Sequence, residues 1–193
     1  MTIRTGSAPV FPTPPIIKQA TMNDSSDLGR NLNSPAAAEA THGTQGGKPT
    51  AHVVLYQPEI PQNTGNIGRT CVAVDAKLWI VRPAAFRLDD ARLRRAGLDY
   101  WQHLRLGDAV NWDNLTEQLS GRRFFFFSRF ASKTIWEAQF EPEDVFVFGR
   151  ETSGLPDTLL DPQAANSLRL PMSPHVRSLN LATTVGIVLY EHQ

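Results

Sequence analysis

An α/β domain, a parallel sheet covered by helices, is predicted for residues 51–193 by three observations. Apolar runs of strand length alternate with helix-length amphipathic runs from His52 to the end of the chain. Two strand runs, "RRFFFFS" (122–128) and "DVFVFG" (144–149), are apolar on both faces, as strands between two helical layers must be. Asn, Gly and Pro gather where strand runs end, the place where such sheets hold ligands.

Taken in order, "HVVLYQ" (52–57) reads as a buried strand and "TGNIGRTCVAVD" (64–75) as a helix. "KLWIVR" (77–82) is a strand, and "DDARLRRAG" (89–97) a helix with acidic residues at its start, as the helix dipole prefers. "NWDNLTEQLSG" (111–121) is helical with Gly121 as its stop. The two Phe- and Val-rich strands follow, then the short strand "SLRLP" (167–171). A closing helix, "SLNLATTVGIVLYE" (178–191), is expected to be capped by Ser178. Residues 1–50 differ. "VFPTPP", "SPAAAEAT" and "HGTQGGKPT" show no sustained period and too few apolar groups to offset their ordering entropy, so this stretch is expected to be disordered.

Composition excludes several classes. Hydrophobic residues make up 41% of the chain, enough for a core, and four Trp and ten Phe argue against overall disorder. A single cysteine, Cys71, rules out an intramolecular disulfide and a Cys-based zinc cluster. It also suits a reducing, cytoplasmic setting; organellar targeting by the N-terminal stretch is the alternative, although that stretch lacks an Arg-rich amphipathic face. No apolar run is long enough to span a membrane. His42, His52, His103, His175 and His192 have no metal-ligand spacing, so no metal is expected. Nineteen basic and nineteen acidic residues cancel, so any RNA partner must be held by a local patch. Past residue 50, Arg outnumbers Lys thirteen to two, a bias that favours bidentate contact with phosphate.

Three strand ends carry unusual residues, each expected to lead into a helix start. They are "NTGNIGR" (63–69), "FGRETSGLP" (148–156) and "RLPMSPHVRSLN" (169–180). In open parallel sheets such ends converge on one composite site. Each also has an ordinary reading: Asn and Gly as turn formers, Glu151 as a helix cap, Ser178 with Asn180 as caps of the last helix. None matches a Rossmann or Walker loop, so standard dinucleotide and triphosphate sites are disfavoured.

Together the three stretches resemble the motifs of the SPOUT RNA methyltransferases, in the SpoU branch. Asn63 and Arg69 match its Asn-x5-Arg motif; Gly149, Glu151, Gly154 and Leu155 match its Gly-x-Glu-x-x-Gly-Leu motif; Pro171, Met172, Ser178, Leu179 and Asn180 match the third. "LYQPEIPQNTGNIGR" and "RLRRAGLDYW" look closest to the tRNA (cytidine/uridine-34-2′-O)-methyltransferases, which modify the wobble ribose. The resemblance implies a C-terminal trefoil knot, S-adenosylmethionine as cofactor, the anticodon region of tRNA as partner, and a homodimer. A pattern reading would not propose a knot, since knots are nearly absent from proteins.

By matched position, the resemblance implies a cofactor pocket lined by Phe127, Gly149, Leu170 and Ser178. It places Arg69 at the 2′-hydroxyl, with Asn63 and Glu151 orienting Arg69 and the ribose, and Asn180 bracing the first loop. Arg92, Arg94 and Arg95 are candidates to hold tRNA phosphates, or equally a solvated helix face paired with Asp89 and Asp90. Arg150 departs from the family pattern. The chain stops at Gln193, where relatives usually continue, so less surface is expected for the last helix against its partner. The alternatives are 2′-O-methylation of another tRNA or rRNA ribose, an RNA-binding protein that keeps the fold without turnover, and a regulatory adenine-nucleotide binder.

Overall fold

Strand alternation sorts the apolar residues onto two faces of a seven-stranded sheet. The computed structural model describes residues 47–86 and 100–193. Among the described residues the strands are β1 (His52–Tyr56), β2 (Lys77–Val81), β3 (Arg105–Ala109), β4 (Phe124–Phe127), β5 (Lys133–Thr134), β6 (Val145–Phe148) and β7 (Ser167–Arg169). Their order is β3-β2-β1-β6-β4-β7-β5, and every pairing is parallel. The described helices are α1 (Pro61–Ala73), α2 (Trp112–Gln118) and α3 (Leu181–His192).

Successive strand residues point to opposite faces, and the two cores follow that rule. Val53, Leu55, Leu78, Ile80, Phe125, Phe127, Phe146 and Phe148 share one core with Ile67 and Cys71 of α1 and Val185, Val188 and Leu189 of α3. Val54, Trp79, Val81, Val145 and Val147 face the other way, onto Leu115 and Leu119 at α2. The larger β6 side chains meet two helices that pack against each other, α1 and α3; its valines meet the shorter α2. Each large side chain so buried contributes roughly 1.5–3 kcal/mol.

Several boundaries differ from the sequence reading. The first helix begins at Pro61, not Thr64, because proline at the first turn needs no amide donor. The last helix is capped by Asn180, not Ser178: Asn180 Oδ1 accepts from the amides of Ala182 (2.8 Å) and Thr183 (3.3 Å). No α-helix follows β6; residues 150–154 form a tight loop closed by paired backbone bonds between Arg150 and Gly154. The strands β3 and β5 escaped the pattern because "RLGDA" interleaves charge with glycine and "KT" is two residues long. The expected helix 89–97, with Arg92, Arg94 and Arg95, lies outside the described residues. So do residues 1–46; residues 47–50 lead into β1, with Thr50 Oγ1 donating to the carbonyl of Val74 at 2.7 Å.

The amino-terminal edge of the sheet is closed by polar pairing. Arg123 binds Asp144 (2.7 Å), whose side chain is only 2% exposed, and Arg122 binds Glu143 (2.8 Å). His52, buried beside them, faces two donors: Trp79 Nε1 lies 3.0 Å from Nδ1 and Arg122 Nε 2.9 Å from Nε2. A neutral imidazole offers one acceptor here and an imidazolium none, so protonation breaks the arrangement. Burial first, then the charges of Arg122 and Lys77, pull the His52 pKa down to about 4.

The unfolded chain therefore binds a proton at His52 between about pH 6.5 and 4 that the folded chain refuses. Stability is full above that window and is lost as pH falls through it, by roughly 1–2 kcal/mol after solvent screening. Urea midpoints from pH 7 to 4.5 check this: His52→Gln flattens the slope, and an unchanged slope rules His52 out as its source.

Candidate active site at the carboxyl ends of the strands

Because every strand runs the same way, the loops after β1, β6 and β7 open on one edge. The loop after β1 turns at Gln57, with φ of +51°, and enters α1 through Ile60, whose side chain supplies no cap. The missing acceptor comes from the loop after β6. The Glu151 carboxylate accepts from the amides of Glu59 (2.8 Å) and Ile60 (3.2 Å) and from Asn63 Nδ2 (3.1 Å). A carboxylate at a helix start also meets the positive end of the helix dipole.

The third loop joins through Asn180. Its Nδ2 donates to Asn63 Oδ1 at 2.9 Å while its Oδ1 caps α3. An ionised carboxylate only accepts, so Glu151 dictates which end of the Asn63 amide faces it, and Asn63 in turn orients Asn180. The result is a one-way relay from the start of α3 through Asn180 and Asn63 to Glu151 and the start of α1. Asn63 is 6% exposed, so its amide depends on these two partners. A second clasp, which sequence reading missed, runs in the opposite direction: the Glu59 carboxylate accepts from Thr152 N (3.0 Å) and Thr152 Oγ1 (2.9 Å). Thr152 fills a variable position of the second motif and Glu59 precedes the first, so neither carries a signal of its own.

Arg69 lies elsewhere. Six residues on from Asn63, it sits about 9 Å along the helix and on a different face. It is exposed, and its guanidinium carbon stands 4.8 Å from the Tyr100 ring centroid, while Tyr100 Oη donates to the carbonyl of Gly65 at 2.7 Å. Asn63 and Glu151 bond each other, and Glu151 also bonds the amides at the start of α1, the helix that carries Arg69. Tyr100, also missed, is the side chain that Arg69 packs on.

The candidate cofactor residues fall into three settings. The Phe127 ring is core, stacked on Phe148 at 4.6 Å, so only the main chain after it is offered to a ligand. A Cβ at Gly149 would lie 2.1 Å from the carbonyl carbon of Gly154, so glycine there is demanded by the chain's own loop, which Gly154 closes at φ +72°. Leu170 is half-buried in an open groove of about 630 Å³, shared with Met172, Arg129, Phe130 and Arg177. Ser178 is exposed in the segment between that groove and α3. Arg150 reaches from the same edge to Gln57 Oε1.

An apolar floor of Leu170 and Met172 with exposed main chain beside it suits an adenine-bearing ligand, and the volume lies in the range of small-molecule sites, roughly 300–1,000 Å³. Among the described residues no group of His, Cys, Asp and Glu is arranged to hold a metal ion.

Comparison with known proteins gives a consistent answer. The SpoU rRNA Methylase family pattern matches residues 50–190. The tRNA (cytidine(34)-2′-O)-methyltransferase of Methylovorus glucosotrophus (strain SIP3-4) is 44% identical over 140 residues, covering 72% of this chain and 91% of its own. That of Burkholderia pseudomallei (strain 1106a) is 45% identical over 143 residues, covering 72% and 92%. A solved structure described as giving structural insights into the 2-OH methylation of C/U34 on tRNA superimposes with TM-score 0.70 at 43% identity, covering 74% of this chain and 93% of that one. The fold alone is shared with the SpoU methyltransferase AviRb from Streptomyces viridochromogenes (TM-score 0.65, 22% identity, covering 73% of this chain and 56% of that one).

If the relay is a unit, its members are coupled. Asn63→Ala strands Asn180 Nδ2 and removes one of the three donors to Glu151, and Asn180→Ala strands Asn63 Oδ1 and uncaps α3; each costs about 1–3 kcal/mol. A double-mutant cycle by urea unfolding should give a coupling of about 0.5–3 kcal/mol. Strict additivity would mean that the three loops are held independently.

Proposed function

The chain belongs to the SpoU rRNA methylase family, and from that membership we propose that it methylates the 2′-hydroxyl of the wobble ribose, C34 or U34, of tRNA. The observation that carries the reading is the polar relay tying three strand ends into one site, in a chain about 44–45% identical to enzymes named for that reaction. S-adenosylmethionine is the cofactor in this reading, held by main chain at Gly149 and Leu170, by the chain after Phe127, and by Ser178. When bound it supplies an activated methyl group. The C-terminal trefoil knot of the resemblance is part of the reading, supported by a sheet in which β6 and β7, consecutive in the chain, lie on either side of β4.

The hydroxyl is a poor nucleophile at neutral pH, so the protein must align it and ease the loss of its proton. With the methyl group that the cofactor would supply, the ribose hydroxyl must give up its proton, and water or a phosphate oxygen would take it. Arg69 does not take it, because guanidinium stays protonated in proteins. Its role is a cation beside the developing alkoxide. Asn63, Glu151 and Asn180 fix the helix that carries Arg69. Arg92, Arg94 and Arg95 are assigned to tRNA phosphates.

We further propose that the site is completed by a second copy. Arg69 points away from the relay on its own chain, and Ile60 (41% exposed), Leu179 (38%), Ile187 (39%) and Tyr190 (65%) leave apolar surface along the entries of α1 and α3 and the outer side of α3. Sedimentation at micromolar concentration should give a mass near twice the 21.4 kDa chain. A monomer that methylates at full rate would refute the pairing.

Arg69→Ala should lower single-turnover methylation of tRNA by about 10²–10³ while calorimetric affinity for S-adenosylmethionine stays unchanged. Arg69→Lys keeps the charge without the planar fork and should be impaired as well. Normal turnover in Arg69→Ala would remove it from the chemistry; lost cofactor affinity would make it structural.

A further inference from the structure

We propose that Arg129, Phe130, Arg169 and Arg177 seat an unstacked RNA nucleotide next to the modified one, its base against Phe130 and its phosphate on the arginines. The inference rests on the RNA reading above and names residues that are not among the matched motif positions.

Charge comes first. Four other described arginines are ion-paired: Arg82 with Asp108 (2.9 Å), Arg105 with Asp75 (3.0 Å), Arg122 with Glu143 (2.8 Å) and Arg123 with Asp144 (2.7 Å). Among the described residues, Arg129, Arg169 and Arg177 have no carboxylate within ion-pair distance. The nearby Glu137 carboxylate, bonded by the Thr134 amide (2.7 Å) and hydroxyl (2.8 Å), shares its charge with Lys133 and Arg169 without an ion-pair contact to Arg169, and it leaves Arg129 and Arg177 unopposed. The three arginines line one groove with Leu170 and Met172.

The cofactor does not account for them. S-adenosylmethionine carries a sulfonium and an ammonium against one carboxylate, so three guanidinium groups repel it on balance. The apolar floor suits the cofactor; the cationic rim suits a polyanion.

An exposed aromatic ring then selects among polyanions. Phe130 is 65% exposed, with the Arg129 guanidinium carbon 4.4 Å from its centroid. In a paired stem the bases stack on one another and offer no free face. Single-stranded nucleotides splay onto aromatic rings and guanidinium planes. The rim is also held in place: Arg129 Nη1 donates to the carbonyl of Arg177 at 3.2 Å, joining the loop after β4 to the loop after β7. Arg177 precedes Asn180 of the relay by three residues, which span at most about 10 Å. A nucleotide on this rim therefore borders the groove of Leu170 and Met172 assigned above to the cofactor, which the modified ribose must approach.

The test compares wild type, Phe130→Ala, Phe130→Trp and Arg177→Gln for affinity to tRNA and to an RNA duplex across salt concentration, with calorimetry on S-adenosylmethionine and sedimentation in parallel. Phe130→Ala should bind tRNA about tenfold more weakly, Phe130→Trp should restore binding, and the duplex should not distinguish them. Arg177→Gln should weaken binding and lower the salt slope by about 1. Cofactor affinity and mass should not change. Wild-type tRNA affinity in Phe130→Ala and Arg177→Gln overturns the proposal. Parallel loss of cofactor affinity overturns it by assigning the rim to the cofactor, and a fall in mass does so by assigning it to a subunit contact. If wild type itself neither binds nor methylates tRNA, the function proposed above fails; if it methylates normally while the variants bind like wild type, only the rim assignment fails.

Discussion

The carboxylate of Glu151 is the point on which the site depends. It arrives from a tight loop after β6 and receives three donors, the two amides before α1 and the Asn63 side chain within its first turn. The helix α1 has no cap within its own sequence, since Ile60 stands at that place. Its start is capped from a strand away. That makes the position of α1, and of everything it carries, a consequence of where β6 ends. The reciprocal bonds of Glu59 to Thr152 remove the remaining freedom, because neither loop can shift without stretching a carboxylate contact of the other. Each bond is modest by itself, about 1 kcal/mol net, and more where the acceptor is charged. Their value lies in fixing direction: an acceptor-only anion orders the amides behind it without alternatives.

A parallel sheet separates two kinds of electrostatics. At the amino-terminal edge, cations and carboxylates share partners, Lys48 and Arg122 on Glu143 and Arg123 on Glu141 and Asp144, and His52 is held neutral between two donors. At the carboxyl-terminal edge, amides form the relay and several arginines face outward. The first edge resolves its charges internally and serves stability. The second leaves capacity for a ligand to satisfy, as expected where loops and helix starts converge. The glycines follow the same division. Gly149 is required not by a ligand but by the carbonyl of Gly154 folding back over it, which brings Glu151 to the place where it meets α1.

Much of this was legible in the sequence, for reasons that particular residues make plain. β1, β2, β4 and β6 announce themselves as unbroken apolar runs because both faces are covered. The parallel sheet followed from alternation with helices. β3 did not, since Arg105 and Asp108 are spent on ion pairs to residues flanking β2, a use of charge that no local pattern reveals, and the two residues of β5 are too few to show a period. The convergence of Asn63, Glu151 and Asn180 was expected from strand ends, but the order of the bonds was not. Glu59, Thr152 and Tyr100 were invisible, because each acts on a residue far away in the chain. The cap of the last helix was misplaced by two residues: Ser178 and Asn180 are both good caps, and only the bond to Asn63 selects between them.

The placement of Arg69 is the remaining consequence. A helix turns about 100° per residue, so six residues set Arg69 well around the cylinder from Asn63. Burying the Asn63 amide in the relay thus requires Arg69 to face outward, and Tyr100 receives it there, with its hydroxyl anchored on Gly65 of the same helix. A guanidinium over an aromatic ring keeps its charge and loses much of its freedom. It is then a fixed cation on an open surface, about 9 Å along the helix from the relay that fixes it. A cation stabilises a developing alkoxide only if water is kept from screening it. The chain's own relay cannot provide that cover, because it lies on another face of the helix. In the reading proposed above a second copy closes over Arg69, and the exposed apolar side chains of Ile60, Leu179 and Ile187 are the surface against which it would pack.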